Sequence, residues 1–130
     1  MQDIMKRLSN DFTATQRDGY IEVPLPVVIN TSFDLVTLRI YQQEDGYVIT
    51  HPEDIFSEMG NATLEFYFNL FKKHNNDCYY GVELKNGILT KECKNNYNIA
   101  VAISDFIRFM IYFDDFFTNN GVIGNEENFI

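Results

Sequence analysis

The chain is 130 residues long, the usual size of one domain, and its 19 acidic against 10 basic side chains give a net charge of -9 at pH 7. Such a charge repels phosphate backbones and argues against direct binding of nucleic acid. A hydrophobic share of 45% and an aromatic share of 15%, all of it Phe and Tyr, argue against disorder.

Residues 2–13 carry Ile4, Met5, Leu8 and Phe12 at helical spacing and predict a first helix, after which Asp18-Gly19 turns the chain. The segment 20–29 is rich in Val and Ile, but Pro24 and Pro26 lack an N–H on the same edge, which restricts it to an edge strand or an extended arm. Next, Val36, Leu38 and Ile40 alternate with polar residues, and a turn at Asp45-Gly46 leads into Tyr47 to Thr50. A two-residue turn there places Val36, Leu38, Ile40, Tyr47 and Ile49 on one face of a hairpin.

Pro52, Glu53 and Asp54 suit a helix start and Gly60 a helix stop, so a short acidic helix is expected over 52–59. Asn61 caps a second helix with the stripe Leu64, Tyr67, Phe68 and Phe71, which Asn75-Asn76 ends. Residues 78–85 and 88–93 flank Asn86-Gly87, the preferred pair of a type I′ hairpin turn. In that register Cys78, Tyr80, Val82, Leu84, Leu89 and Cys93 share one face, and Tyr79, Glu83, Lys85, Thr90 and Glu92 the other.

A last helix is expected over 96–118, with apolar Ile99, Ile103, Phe106, Met110, Phe113 and Phe117 and a narrow polar stripe of Asn98, Asp105, Arg108, Tyr112 and Asp115. Most of its circumference calls for burial. It is either the central core helix or, in addition, the seam of a homodimer through those six apolar residues. The expected architecture is therefore one α+β domain over 1–118 with a loosely ordered tail over 119–130. A short N-terminal helix, two hairpins and a Pro-containing edge strand form a small antiparallel sheet, packed against helices that include a long C-terminal one.

The start of the chain has no continuous apolar run of the signal-peptide kind, and 99–117 is interrupted by Asp105, Arg108, Asp114 and Asp115. A cytoplasmic protein is expected, in a bacterial cell or an infected host. Cys93 faces Tyr80 in the predicted hairpin and Cys78 lies on the diagonal, where Cβ atoms are about 7–8 Å apart. That is too far for a disulfide, and free thiols are expected.

Neither His51 nor His74 has a partner at ligand spacing, so no metal site and no cofactor are expected. No nucleophile elbow, phosphate-cradling glycine loop or H-E-x-x-H is present, which removes the common signatures of hydrolases and nucleotide enzymes. One catalytic pattern stands on the second hairpin. Glu83-Leu84-Lys85 is the E-x-K of many metal-dependent nucleases, in which a carboxylate holds Mg²⁺ and a lysine stabilises charge, with Asp77 or Asp54 as second carboxylate. The alternative is a solvated polar hairpin face.

The charge is also unevenly spread. Asp34, Glu44, Asp45, Glu53, Asp54, Glu58 and Glu65 stand against Arg39 alone, whereas Lys72, Lys73, Lys85, Lys91 and Lys94 make the next segment mildly positive. A rigid negative surface built from Glu44, Asp45, Glu53, Asp54, Glu58 and Glu65 competes with nucleic acid for a basic groove on a partner protein. The plainer alternative is a solvating surface.

The run Val23-Pro24-Leu25-Pro26-Val27-Val28-Ile29, then Thr31-Ser32-Phe33-Asp34, the strand 35–41 and Gly46-Tyr47-Val48-Ile49-Thr50 follow one another in an order that resembles a bacterial and phage family, domain of unknown function eighteen-twenty-eight. The likeness spans residues 20–117. Its T-P-F-x-D turn has Ser32 in place of proline. Its G-Y-x-L-T-D-D-G strand end has His51-Pro52-Glu53 in place of the acidic pair, which leaves Glu53 and Asp54 as stand-ins one register later. The resemblance implies a prokaryotic or phage setting, an α+β fold and no established reaction.

The leading expectation is thus a non-enzymatic acidic module that inhibits a host defence protein, of the anti-CRISPR kind, by binding its basic nucleic-acid-binding surface. A Mg²⁺-dependent nuclease or its inactive descendant, and a homodimeric structural module, are the alternatives.

Overall fold

A computed structural model describes Ile4, Met5 and Leu8 together with residues 13–28, 35–51, 61–74 and 80–119. The elements are β1 (Thr15–Gln16), β2 (Ile21–Val28), β3 (Leu35–Gln42), β4 (Gly46–Thr50), α1 (Asn61–His74), β5 (Glu83–Lys85), β6 (Ile88–Lys94) and α2 (Ile99–Asn119). The six strands form one antiparallel sheet in the order β1-β2-β3-β4-β6-β5, and the fold is α+β as expected.

Ile4, Met5 and Leu8 are helical, and Ile4 and Leu8 are buried in the core, while Thr13 already lies outside the helix. Asp18-Gly19 does turn the chain. Gly19 takes φ +87°, Arg17 N donates to Tyr20 O at 2.8 Å, and the short β1 pairs with the start of β2. Among the described residues no strand pairs with the outer side of β2 beyond Glu22, and Pro24 stands on that edge, where proline is tolerated. The register against β3 shifts between Pro24 and Val28, the stretch that contains Pro26.

The β3–β4 hairpin keeps its predicted face but not its predicted turn. Gln42 pairs with Tyr47, and Gln43 and Gly46 exchange backbone bonds, which puts Glu44 and Asp45 at the tip instead of Asp45-Gly46. Moving the tip by one residue shifts the pairing by two, and the side-chain period of two leaves the same residues inward. Gly46 is there for space. Its Cβ position lies 1.9 Å from the Cys93 carbonyl oxygen, which no side chain tolerates.

Asn86 and Gly87 take φ +53° and +79° with Lys85 opposite Ile88, as a type I′ turn requires. The strand before them is shorter than predicted. Tyr80 and Gly81 have φ +53° and +75°, outside the β region, so β5 begins only at Glu83. Cys93 therefore faces Tyr47 of β4 rather than Tyr80, and it is a free thiol, while Cys78 lies outside the described residues.

The inward residues of β2, β3, β4 and β6 join Leu64, Phe68 and Phe71 of α1 and Ile99, Ile103, Phe106, Phe109, Met110 and Phe113 of α2 in one buried cluster. Phe68 and Phe71 interlock with Phe109 and Phe113 at ring-centroid distances of 5.2–5.9 Å, the edge-on and tilted geometry that suits the ring quadrupole. The last helix starts later than predicted because Asn98 caps it. Its Oδ1 accepts from Ala100 N at 2.9 Å and Val101 N at 3.2 Å.

Burial corrects the seam expected for a homodimer. Ile99, Ile103, Phe106, Met110 and Phe113 are all buried within the chain and face the sheet and α1, so they are not available to a second copy. The Phe117 side chain lies outside the described residues. The solvent side of α2 instead presents Val101, Arg108, Ile111, Tyr112 and Asp115. No helix among the described residues is long and apolar enough to cross a membrane.

Candidate functional site

Of the six carboxylates expected to form one acidic surface, Glu44, Asp45 and Glu65 are described, and all three are exposed. Glu53, Asp54 and Glu58, with the helix expected over 52–59, lie outside the described residues. The three do not converge. Glu44 and Asp45 sit at the β3–β4 tip, beside the Lys94 end of β6, where Asn95 N donates to Asp45 O at 3.1 Å. Glu65 sits on α1 near the Asn86-Gly87 turn, at the other end of β6. Six residue steps along that strand, at about 3.3 Å each, separate the two ends by roughly 20 Å.

Glu65 belongs instead to a groove between α1 and the β5–β6 hairpin, of about 550 Å³, lined by Glu65, Phe68, Asn69, Glu83, Leu84, Asn86 and Gly87. Three local features build it. The helical period that buries Phe68 turns Glu65 and Asn69 outward on the flank of α1. The type I′ turn brings Asn86 and Gly87 to the rim. Among the described residues no strand pairs with the outer side of β5, and Lys72 of α1 reaches Glu83 of that strand. Lys72, one turn beyond Phe68, places its ammonium 2.9 and 3.0 Å from the two Glu83 oxygens and 5.5 Å from the centre of the Phe68 ring.

That ion pair also fixes the state of the E-x-K residues. Glu83 is held by Lys72, and Lys85 is paired with Glu92 at 3.1 Å. Asp77 lies outside the described residues. Among the described residues no three His, Cys, Asp or Glu side chains come together as a metal site would need.

A second polar cluster lies where β6 meets α2, and it was not foreseen. Lys91 is buried because the alternation Leu89, Lys91, Cys93 turns it to the helix-covered face, opposite Ile49. Its ammonium donates to Tyr80 O at 2.6 Å, lies 3.9 Å from Asp105 Oδ2 and stands 5.4 Å from the Tyr97 ring centre. Tyr97 OH donates to the same Asp105 oxygen at 2.6 Å, and the buried Tyr47 OH donates to Tyr97 O at 2.8 Å. Positive φ at Tyr80 and Gly81 turns the Tyr80 carbonyl onto the ammonium, and a Cβ on Gly81 would stand 2.9 Å from it. A buried ammonium persists only with such partners. The signal was in the sequence, since Lys91 has the same parity as Leu89 and Cys93.

The Asp105 bond holds the Tyr97 hydroxyl in its protonated form, and with burial and the carboxylate charge it pushes the pKa up to about 12. Burial raises the Cys93 thiol, against the neighbouring Lys91 charge, so the thiol is a poor nucleophile at neutral pH. Because Tyr97 ionises later in the folded chain than in the unfolded one, its contribution to stability is complete below pH 10 and is lost as the pH rises towards 12. Tyrosinate absorbance should show the Tyr97 phenol titrating late in the native protein. Asp105→Asn should return it towards the ordinary value, and an unchanged titration in that variant would show that the bond is not the cause.

Comparison with family models, curated proteins and solved structures finds no match to this chain.

Proposed function

We propose that the chain is a non-enzymatic, acidic protein-interaction module that binds a basic surface of another protein. The observation that carries this reading is the net charge of -9 together with the exposed carboxylates of Glu44, Asp45 and Glu65, which pair with no cation among the described residues. A negative field steers a cationic partner into encounter and disfavours nucleic acid itself. The partner surface is one that otherwise holds nucleic acid. In a phage or mobile element, consistent with the prokaryotic or phage setting that the family resemblance implies, it belongs to a host defence protein, which the module inhibits by occupation.

Capture from bacterial lysate on the immobilised chain tests this. The retained protein should be released by heparin or duplex DNA, which compete for the same basic surface. It should be lost when Glu53, Asp54, Glu58 and Glu65 are changed to Lys. Capture that survives both treatments would sink the reading.

A further inference from the structure

The groove between α1 and the β5–β6 hairpin has the chemistry of a receptor for one side chain. Phe68 and Leu84 supply its apolar lining, and the carboxylates of Glu65 and Glu83 and the amides of Asn69 and Asn86 supply its polar lining. A ligand for such a groove needs an apolar stem and a cationic head with several donors. Arginine fits this better than lysine, because its planar guanidinium can serve a carboxylate and a neighbouring amide oxygen at once, and it is the more weakly hydrated cation.

The chain itself shows how the groove treats a cation. Lys72 reaches in from the side, lays its ammonium near the Phe68 ring and takes both Glu83 oxygens, while Glu65 on the same rim is left without a counter-ion among the described residues. Half of the available negative charge is thus already answered from within, and half is open to a partner.

We infer that this groove binds an arginine side chain of the basic partner, its methylenes on Phe68 and Leu84 and its guanidinium against Glu65. The inference rests on the proposed function and locates where specific recognition occurs. The acidic β3–β4 tip, at the other end of the sheet, contributes only to the long-range field.

Fluorescent nona-arginine titrated with the full chain in physiological salt tests it, with nona-lysine alongside. Glu65→Gln should weaken nona-arginine binding at least five-fold, and Asn69→Arg, which places a guanidinium in the groove from an exposed position, should weaken it further. The double variant Glu44→Gln/Asp45→Asn removes more charge, yet it should cost less than two-fold. Lys72→Met frees Glu83 and should strengthen binding several-fold. Lys73→Met, the same charge change at an exposed neighbour, should alter it less than two-fold.

Equal losses at Glu65 and at the tip, equal gains at Lys72 and Lys73, or equal affinity for nona-lysine would each overturn the groove and leave a diffuse field. Circular dichroism confirms that each variant is folded. If the unmodified chain binds neither peptide, the proposed function falls with the groove, whereas binding that ignores Glu65 and Asn69 removes the groove alone.

Discussion

Phe109→Ala is expected to lower the free energy of unfolding by about 3–5 kcal/mol, the range for removing a fully buried aromatic ring. Phe109 is completely buried, and its ring lies 5.8 Å from Phe68, 5.6 Å from Phe71 and 5.3 Å from Phe113. Its loss therefore removes the Phe68 and Phe71 contacts of one ring that fastens α1 to α2 and leaves those of Phe113. Three neighbouring rings on two helices cannot all close the gap, because each is held by further partners. Phe71, for example, also packs on Phe116 at 5.5 Å.

Small domains are stable by only about 5–15 kcal/mol, so the variant should sit near the edge of folding. Denaturant unfolding measures the loss, and hydrogen exchange should show α1 opening before the β3–β4 hairpin. Phe109→Leu keeps most of the volume and should cost less than half as much. An alanine variant within about 1 kcal/mol of the parent would mean that the helices are not held by this ring cluster.

Gly46→Ala is the second large effect, expected at about 3 kcal/mol, the upper end of the range for overpacking. The Cβ would lie 1.9 Å from the Cys93 carbonyl oxygen and 2.9 Å from both the Cys93 carbonyl carbon and Lys94 Cα, all of them backbone atoms. No rotamer relieves that overlap. The ends of β4 and β6 must part, and the Gly46–Lys94 pairing and the bond from Asn95 N to Asp45 O go with them.

Gly19→Ala is the informative control. Gly19 has φ +87° but nothing within 4 Å of a Cβ, so only the left-handed penalty of about 1–2 kcal/mol applies. Denaturation midpoints should therefore rank Gly46→Ala below Gly19→Ala, although Gly19 alone of the two has a positive φ. The reverse order would show that β4 and β6 are not in this close register.

The same register explains why the E-x-K triplet and the acidic run carry different weight in the folded chain than in the sequence. Glu65 shares a groove with Glu83 of the mildly positive segment, while Glu44 and Glu65, members of one acidic stretch, stand near opposite ends of β6. Charge counted along a chain predicts the size of a field, and strand order decides its shape.

Alternation and turn chemistry alone determined most of the local structure. They were enough for the inward face of the β3–β4 hairpin, for Val82 and Leu89 of the second, and for the Asn86-Gly87 turn, the Leu64, Phe68 and Phe71 stripe and Ile99 to Phe113 of the last helix, because each depends on neighbours two to four residues apart. The β3–β4 tip was misplaced by one residue because Asp45-Gly46 satisfies a turn preference equally well, and only the approach of β6 reserves Gly46 for close packing. Tertiary structure alone inserted β6 between β4 and β5, and that decided the rest. It brought Asp105 and the Tyr80 carbonyl to Lys91, paired Glu83 with Lys72, and set Glu44 and Asp45 at one end of β6 and Glu65 near the other. Contacts between residues far apart in sequence follow from which strands become neighbours, and local periodicity does not encode that choice.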